Sequence, residues 1–275
     1  TRCTLGKTRT WYIFMEILGY FAAFVMGAVL GSLGGGGSIL TVPILVYLMK
    51  VPPVVATGYS LLIVGAAAAY GALRYWRKGR LNVKPALTFA VPSVIAVYLT
   101  RAYLVPNMPD PLVSSPIVIA KGTFIMVLFA VLMVAAALMM LRNARSLTPP
   151  KELSYNVPLI VIEGAIVGMA TGILGAGGGF LIIPALVLLM GMPMKDAVGA
   201  SLLIIALKSL IGFMGDVQAG IHLELPMLAI FFGATFVGMF AATQLCDKFD
   251  GKKLQKAFAY FTLVIAAIIL LKELF

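Results

Sequence analysis

Long apolar runs recur from one end of this 275-residue chain to the other, separated only by short stretches rich in charge, glycine or proline. A helix of about 20 apolar residues crosses the roughly 30 Å hydrocarbon layer of a bilayer. Hydrophobic residues make up 61% of the chain, charged residues 11%, and the mean hydropathy is +1.05. This composition leaves no room for a water-soluble domain, and it predicts an all-α, polytopic protein embedded in the lipid bilayer.

Hydropathy and the turn residues between the runs predict ten apolar segments. They cover residues 12–33, 38–49, 54–73, 85–106, 117–141, 157–174, 180–190, 196–214, 225–245 and 254–274. The second and seventh contain about a dozen residues each, which reach only about 18 Å as a helix. We therefore expect about ten transmembrane or half-membrane helices, with the two short ones each following a glycine cluster.

The sequence repeats itself without a gap when it is shifted by 141 residues, which places Gly27 on Gly168. The shift also superposes both glycine clusters and the motif Gly-x-Ser-Leu at 58–61 and 199–202. Because the register holds across loops, we interpret the halves as a duplication. The predicted organisation is an N-terminal tail, a five-helix repeat, a cytoplasmic linker and a second five-helix repeat, at residues 1–11, 12–141, 142–156 and 157–275.

Basic residues indicate that the two repeats have opposite orientations. The connection at 74–84 contains five Lys or Arg residues, whereas the equivalent 215–224 contains none. Lys and Arg favour the cytoplasmic side, so these loops are expected on opposite sides of the membrane, as in the inverted-topology repeats of secondary transporters. The net charge of +11 thus reflects orientation and not nucleic-acid binding. Other basic residues assigned to the cytoplasmic side are Arg142, Arg145, Lys151, Lys248, Lys252, Lys253 and Lys256.

Two glycine clusters are predicted to break helices inside the membrane. They comprise Gly34, Gly35, Gly36 and Gly37 with Ser38, and Gly175, Ala176, Gly177, Gly178 and Gly179. Backbone groups at that depth must be paired or face a polar cavity. The N-terminus of the short helix after each break would favour an anion, which predicts a substrate site between the clusters. The alternative is close helix packing through small residues.

These clusters belong to a longer pattern. In each half the cluster is followed by apolar residues and a proline, Pro43 or Pro184, and then by the Gly-x-Ser-Leu motif. The pattern closely resembles the sulfite exporter (TauE/SafE) family, also called the toluene-sulfonate uptake permeases, over nearly the whole chain. The resemblance implies transport of sulfite, an organosulfonate or a related sulfur oxyanion across the plasma membrane of a prokaryote.

Several hydroxyl side chains near the clusters are candidate donors to an oxyanion. Ser60 and Ser201 are equivalent in the two halves, and the alternative role of each is a hydrogen bond to a carbonyl one turn back in its own helix. Thr41, Thr57 and Tyr59 add polar groups in the first half only. If they line the cavity, the site is asymmetric.

Lys208 lies well inside the eighth segment, and its equivalent in the first half is Ala67. A buried ammonium in a membrane is costly and is usually paired, hydrated or functional, although a lysine can also extend toward the nearer surface. Glu163 is a second charge inside an apolar run, and it is a candidate partner for Lys208 or carrier of a coupling proton. We predict that Lys208 supplies positive charge to the anion site.

The predicted function is secondary transport by alternating access, with a small anion held at the N-termini of the two short helices. A proton or a sodium ion is the expected coupling ion. An anion channel of the same architecture is the alternative, because helix N-termini also favour anions in a pore. The sequence lacks an HExxH motif, a nucleophile elbow, a phosphate-binding lysine loop and a Cys/His cluster, so we expect no enzymatic activity, no metal and no cofactor.

Overall fold

The computed structural model is a helical bundle. It describes residues 2–79, 81–111, 120–145, 157–188, 192, 194–221, 223–245 and 251–274, and these residues form no strand. The helices are α1 Arg2–Leu33, α2 Thr41–Pro43, α3 Pro53–Arg77, α4 Val83–Leu99, α5 Val105–Asn107, α6 Lys121–Arg145, α7 Val157–Leu174, α8 Gly179–Leu188, α9 Met194–Gln218, α10 Leu225–Leu245 and α11 Gly251–Leu274.

The length and composition of the helices confirm an all-α, polytopic membrane protein. Within the described residues, seven helices are long and apolar enough to cross a membrane, and a shorter apolar helical stretch covers Gly37–Leu48. Large apolar side chains that are more than half exposed occur on the outside of most long helices, where they would contact lipid; they include Ile17, Phe21, Val91, Ile166, Leu225 and Leu271.

Two short stretches between the long helices are wound differently from an α-helix. A 3₁₀ helix at Gly34–Leu40 follows α1 directly and continues through α2 into a π-helix at Ile44–Leu48. A second π-helix, Thr100–Leu104, joins α4 to α5. Helix α1 ends at Leu33, and Gly37 packs back against Met26 and Leu30 of α1, so the first glycine cluster interrupts the helix as predicted.

Some helix ends differ from the sequence prediction. Helix α1 begins at Arg2 and so extends through the predicted N-terminal tail. Helix α9 continues to Gln218, which places Asp216 in a helix and not in the predicted loop. Most of the predicted linker, including Lys151, and the residue Lys248 lie outside the described residues.

In each half, the first long helix packs against a helix of the other half. Helix α1 packs most extensively against α10, and the equivalent helices of the opposite halves, α7 and α4, pack in the same way. Glycines allow both approaches, since Gly27 lies against the Thr235 backbone and the equivalent Gly168 lies against the Ser93 backbone. The packing role proposed as the alternative for small residues thus holds for Gly27.

Helices α3 and α9, which the shift of 141 residues superposes, pack against each other in antiparallel directions at the centre of the bundle. Along α3, Gly58 lies beside Asp216 and Gly65 beside Leu210, while Gly71 lies beside the earlier Leu202. Equivalent helices would run parallel if the halves were related by an axis along the membrane normal. Their antiparallel direction is the one that an inverted repeat requires.

Candidate functional site

The second glycine cluster forms a break between α7 and α8. Its backbone has positive φ at Gly175, Gly177 and Gly178, with values of 65°, 62° and 70°. Residues with a Cβ rarely adopt this conformation, so the sequence must supply glycine at these points. The break is closed by a hydrogen bond in which Gly178 N–H donates to Ala176 O at 2.6 Å.

Residues from both halves of the chain surround this break. A Cβ on Gly175 would overlap the backbone of Thr57 in α3. A Cβ on Gly177 would lie 3.3 Å from Ser38 Cβ, so the two glycine clusters of the sequence meet here. The cluster residues Gly34, Gly35 and Gly36 lie in the 3₁₀ helix that leads to Ser38, and Gly37 packs back against α1.

Lys208 lies directly against the break. Its side chain is only 1% exposed, and a Cβ on Gly178 would lie 2.6 Å from Lys208 Nζ. The ammonium donates a hydrogen bond to Thr171 Oγ1 at 2.8 Å. The lysine is therefore buried at the second cluster and does not extend toward the membrane surface, which was the alternative considered from the sequence.

Glu163 does not serve as the partner of Lys208. It lies on α7 eight residues before Thr171, the residue that accepts the lysine hydrogen bond. Eight residues correspond to about 12 Å along a helix, which is well beyond the reach of an ion pair. The neighbour of the Lys208 ammonium in the described part of the chain is thus a neutral hydroxyl.

The equivalent serines differ in their hydrogen bonds. Ser201 is buried and donates to Val198 O at 2.8 Å within its own helix. Ser60 is also fully buried, but its hydroxyl has no hydrogen-bond partner among the described residues. The helical period places Ser60 on the same face of α3 as Thr57 and Val64, which contact the break. Ser60 is therefore available to a ligand at the break, whereas Ser201 is already bonded.

The other polar candidates of the first half are also buried. Thr41 Oγ1 lies 3.5 Å from Met26 Sδ in α1. Tyr59 Oη accepts a hydrogen bond from Glu224 N–H at 2.8 Å, close to the start of α10. Thr57 differs from these two because it lies at the break itself and donates to Val54 O at 2.6 Å.

A buried ion pair beside the break was not predicted from the sequence. Arg101 Nη1 lies 3.2 Å from Asp216 Oδ1 and 3.1 Å from Thr57 Oγ1, and the arginine side chain is completely buried. The sequence predicts Asp216 in the connection 215–224 and Arg101 in the apolar segment 85–106. The cost of a charge inside an apolar run is the signal that could have identified Arg101, as it identified Lys208.

An open groove of about 940 Å³ lies between α4 and α7, but it holds none of the predicted site residues. Its lining is almost wholly apolar and includes the exposed side chains of Ile95, Leu99 and Met169. Its exposed apolar lining suits contact with lipid more than with an anion. The buried cluster at the second glycine break is the better candidate for an anion site.

Comparison with known proteins places the chain among membrane transporters. The family described as Sulfite exporter TauE/SafE matches residues 19–269. A "Probable membrane transporter protein" of Xylella fastidiosa (strain 9a5c) is 31% identical over 250 residues, covering 88% of this chain and 90% of the relative. "Probable membrane transporter protein YunE" of Bacillus subtilis (strain 168) is 28% identical over 251 residues, covering 84% and 87%.

No solved structure matches this chain significantly. The relatives and the membrane-spanning helices together make it a multi-pass membrane protein of a prokaryote. A break in an apolar helix with a buried cation beside it also fits a protein that handles a small anion. By its sequence match over most of its length, the chain belongs to the TauE/SafE sulfite exporter family of membrane transporters.

Proposed function

We propose that this protein is a secondary transporter that carries a small sulfur oxyanion by alternating access. In this proposal the anion is bound at the second glycine break by the Lys208 ammonium, the Ser60 hydroxyl and the first amides of α8. The observation that carries the proposal is the burial of Lys208 against Gly178 with a neutral hydroxyl as its neighbour. A buried cation without a carboxylate beside it has a strong electrostatic preference for an anionic ligand.

Burial of the polar groups favours a transporter over the alternative of a channel. Four polar residues of the candidate site are fully buried, namely Ser38, Thr57, Ser60 and Ser201, and Lys208 is only 1% exposed. An anion can reach these groups only after the surrounding helices move. A conformational change during each cycle is the defining feature of alternating access, whereas a conducting pore exposes its lining to water.

The choice of a sulfur oxyanion rests on the family. The buried donors would serve any small oxyanion, and the printed family description supplies sulfite. Transport involves no chemical step, so the carried anion should be recovered unchanged. A proton or a sodium ion is proposed as the coupling ion.

Transport is tested by reconstituting the purified protein into liposomes and following entry of ³⁵S-labelled sulfite under anaerobic conditions. We expect uptake that saturates with concentration and that a proton or sodium gradient drives uphill. Protein-free liposomes are the control. Large unitary currents with no uphill accumulation would instead identify a channel, and no flux of sulfite, thiosulfate or methanesulfonate would contradict the proposal.

The two halves are proposed to be inverted repeats with the bounds 12–141 and 157–275 given above. The antiparallel contact between α3 and α9 supports this arrangement, as does the opposite charge of the equivalent loops. An inverted pair brings two equivalent surfaces to the membrane centre from opposite sides, which suits a site that opens alternately to each side.

Cysteine labelling tests the inverted arrangement. Cys3 and Cys246 are first replaced with alanine, and single cysteines are then introduced at Arg77 and at Ala219, which are exposed at the ends of α3 and α9. We expect a membrane-impermeant maleimide to label only one of the two from outside intact cells and the other only after permeabilisation. Labelling of both from the same side would refute the inverted repeat.

The serine pair supplies a matched test of the site. Ser60→Ala should lower sulfite affinity about 5- to 10-fold, since it removes a hydroxyl worth about 1 kcal/mol or more to the ligand. Ser201→Ala should leave affinity within about twofold, because the Ser201 hydroxyl bonds Val198 O. Calorimetric titration of both variants in the same detergent gives the comparison. Equal effects of the two substitutions would remove Ser60 from the site.

A further inference from the structure

Arg101 has more hydrogen-bond donors than the described chain satisfies. The guanidinium is completely buried, and Nη1 is its atom in contact with both Thr57 Oγ1 and Asp216 Oδ1. Among the described residues, Nε and Nη2 have no hydrogen-bond partner. Leaving buried donors of a charged group unpaired costs more than leaving neutral ones unpaired. This arrangement therefore indicates a ligand for the Nε–Nη2 side of the guanidinium.

The Nε–Nη2 edge has the geometry that an oxyanion requires. Its two N–H groups are parallel and lie in one plane, so they bind two oxygens of a carboxylate, sulfonate or sulfite at once. Lysine cannot reproduce this planar fork. Because Asp216 and Thr57 contact Nη1 only, they fix the orientation of the guanidinium and leave this edge free.

Arg101 is connected through Thr57 to the same glycine break that Lys208 contacts. Thr57, which contacts Arg101, packs against Gly175, and Lys208 packs against Gly178. Three residues of chain span at most about 11 Å. Thr57 and Lys208 thus flank one short segment of backbone, and Arg101 lies next to it behind Thr57. Arg101 also lies in the π-helix Thr100–Leu104, a distortion that often occurs at functional sites.

We infer that the Nε–Nη2 edge of Arg101 is a second oxyanion-binding position of the transport site, and that Asp216 holds this edge in place. The inference rests on the proposed function and deepens it by adding a second cation to the site. The ligand class is a planar or tetrahedral oxyanion group with two oxygens available to one guanidinium.

The test is calorimetric titration of the full-length protein with sulfite under anaerobic conditions. Arg101→Lys retains the positive charge but removes the planar edge, and we expect at least about a 10-fold loss of affinity. Arg101→Gln should lose about 100-fold. Thermal unfolding without ligand is measured in parallel, because a purely structural ion pair would change stability and leave the sulfite affinity of the folded fraction unaltered.

Asp216→Asn keeps the guanidinium and gives a second test if the arginine variants fail to fold. Its amide oxygen can still accept a hydrogen bond from Nη1, while the negative charge beside the anion is removed. We expect sulfite affinity to rise severalfold at low ionic strength, in the opposite direction to Arg101→Lys. Unchanged or reduced affinity in a folded Asp216→Asn protein would overturn the inference.

The outcomes separate this inference from the proposed function. If the wild type binds sulfite and Lys208→Met abolishes binding, but Arg101→Lys binds as the wild type does, the second position is refuted and the transport site stands. If the wild type binds none of sulfite, sulfate, thiosulfate and methanesulfonate, both are refuted.

Discussion

Replacing Lys208 with methionine is expected to reduce sulfite affinity at least about 100-fold while leaving the unliganded protein as stable as the wild type or more stable. Methionine is unbranched and of similar length, so it fills the space beside Gly178 without the charge. In the wild type the buried ammonium is offset only by Thr171 Oγ1 among the described residues. Removing the charge relieves this desolvation cost, and the ligand loses its main electrostatic partner.

Calorimetry with sulfite and thermal unfolding in the same detergent measure the two effects separately. Lys256→Met is the matched control, because it removes the same charge from an exposed position on α11. This control should change neither affinity nor stability appreciably. A folded Lys208→Met protein that binds sulfite as the wild type does would leave Ser60, the α8 amides and Arg101 as the donors.

Gly175→Ala is expected to abolish transport and to lower the thermal stability strongly. Two costs combine: the positive φ of 65° disfavours alanine by about 1–2 kcal/mol, and the new methyl group would overlap the Thr57 backbone. Since backbone cannot move aside as a flexible side chain can, α3 and the break must separate. That separation would displace Thr57 from Arg101 as well.

Gly79→Ala isolates the first of these costs. Gly79 has φ of 67°, almost the same as Gly175, but its Cβ would have nothing within 4 Å. We expect Gly79→Ala to lose no more than about 2 kcal/mol and to retain transport. Fluorescence-detected chromatography during a heating series, combined with sulfite uptake, compares the two variants. If Gly175→Ala behaves like Gly79→Ala, close approach at the break has no importance for the fold.

The spans were predictable because an apolar run long enough to cross a bilayer has few alternative structures. The helix end at Gln218 was not, since hydropathy cannot distinguish a buried ion pair from an aqueous loop. An aspartate at the end of an apolar run is typical of a loop, and its ion pair with Arg101 explains why Asp216 lies in a helix instead. Burial of a charge depends on its partner, and here the partner lies 115 residues away in the chain.

The two glycine clusters show a second limit. Successive glycines predict that a helix is interrupted but not how, and the sequence alone does not distinguish the 3₁₀ winding of Gly34–Leu40 from the open turn at 175–178. The free-energy cost of burying a charge was more informative for the site, because it marks Lys208 in the sequence. The contacts of Lys208 with Thr171 and Gly178 depend on how three helices pack, which the sequence does not reveal.

The antiparallel contact between α3 and α9 has a consequence for the origin of the protein. Under the proposed duplication, a single five-segment unit would have formed this interface with a second copy of itself inserted upside down. Such an ancestor would have entered the membrane in both orientations. The basic residues at 74–84, and their absence from 215–224, are the charge difference that would then hold each copy in one orientation after fusion into one chain.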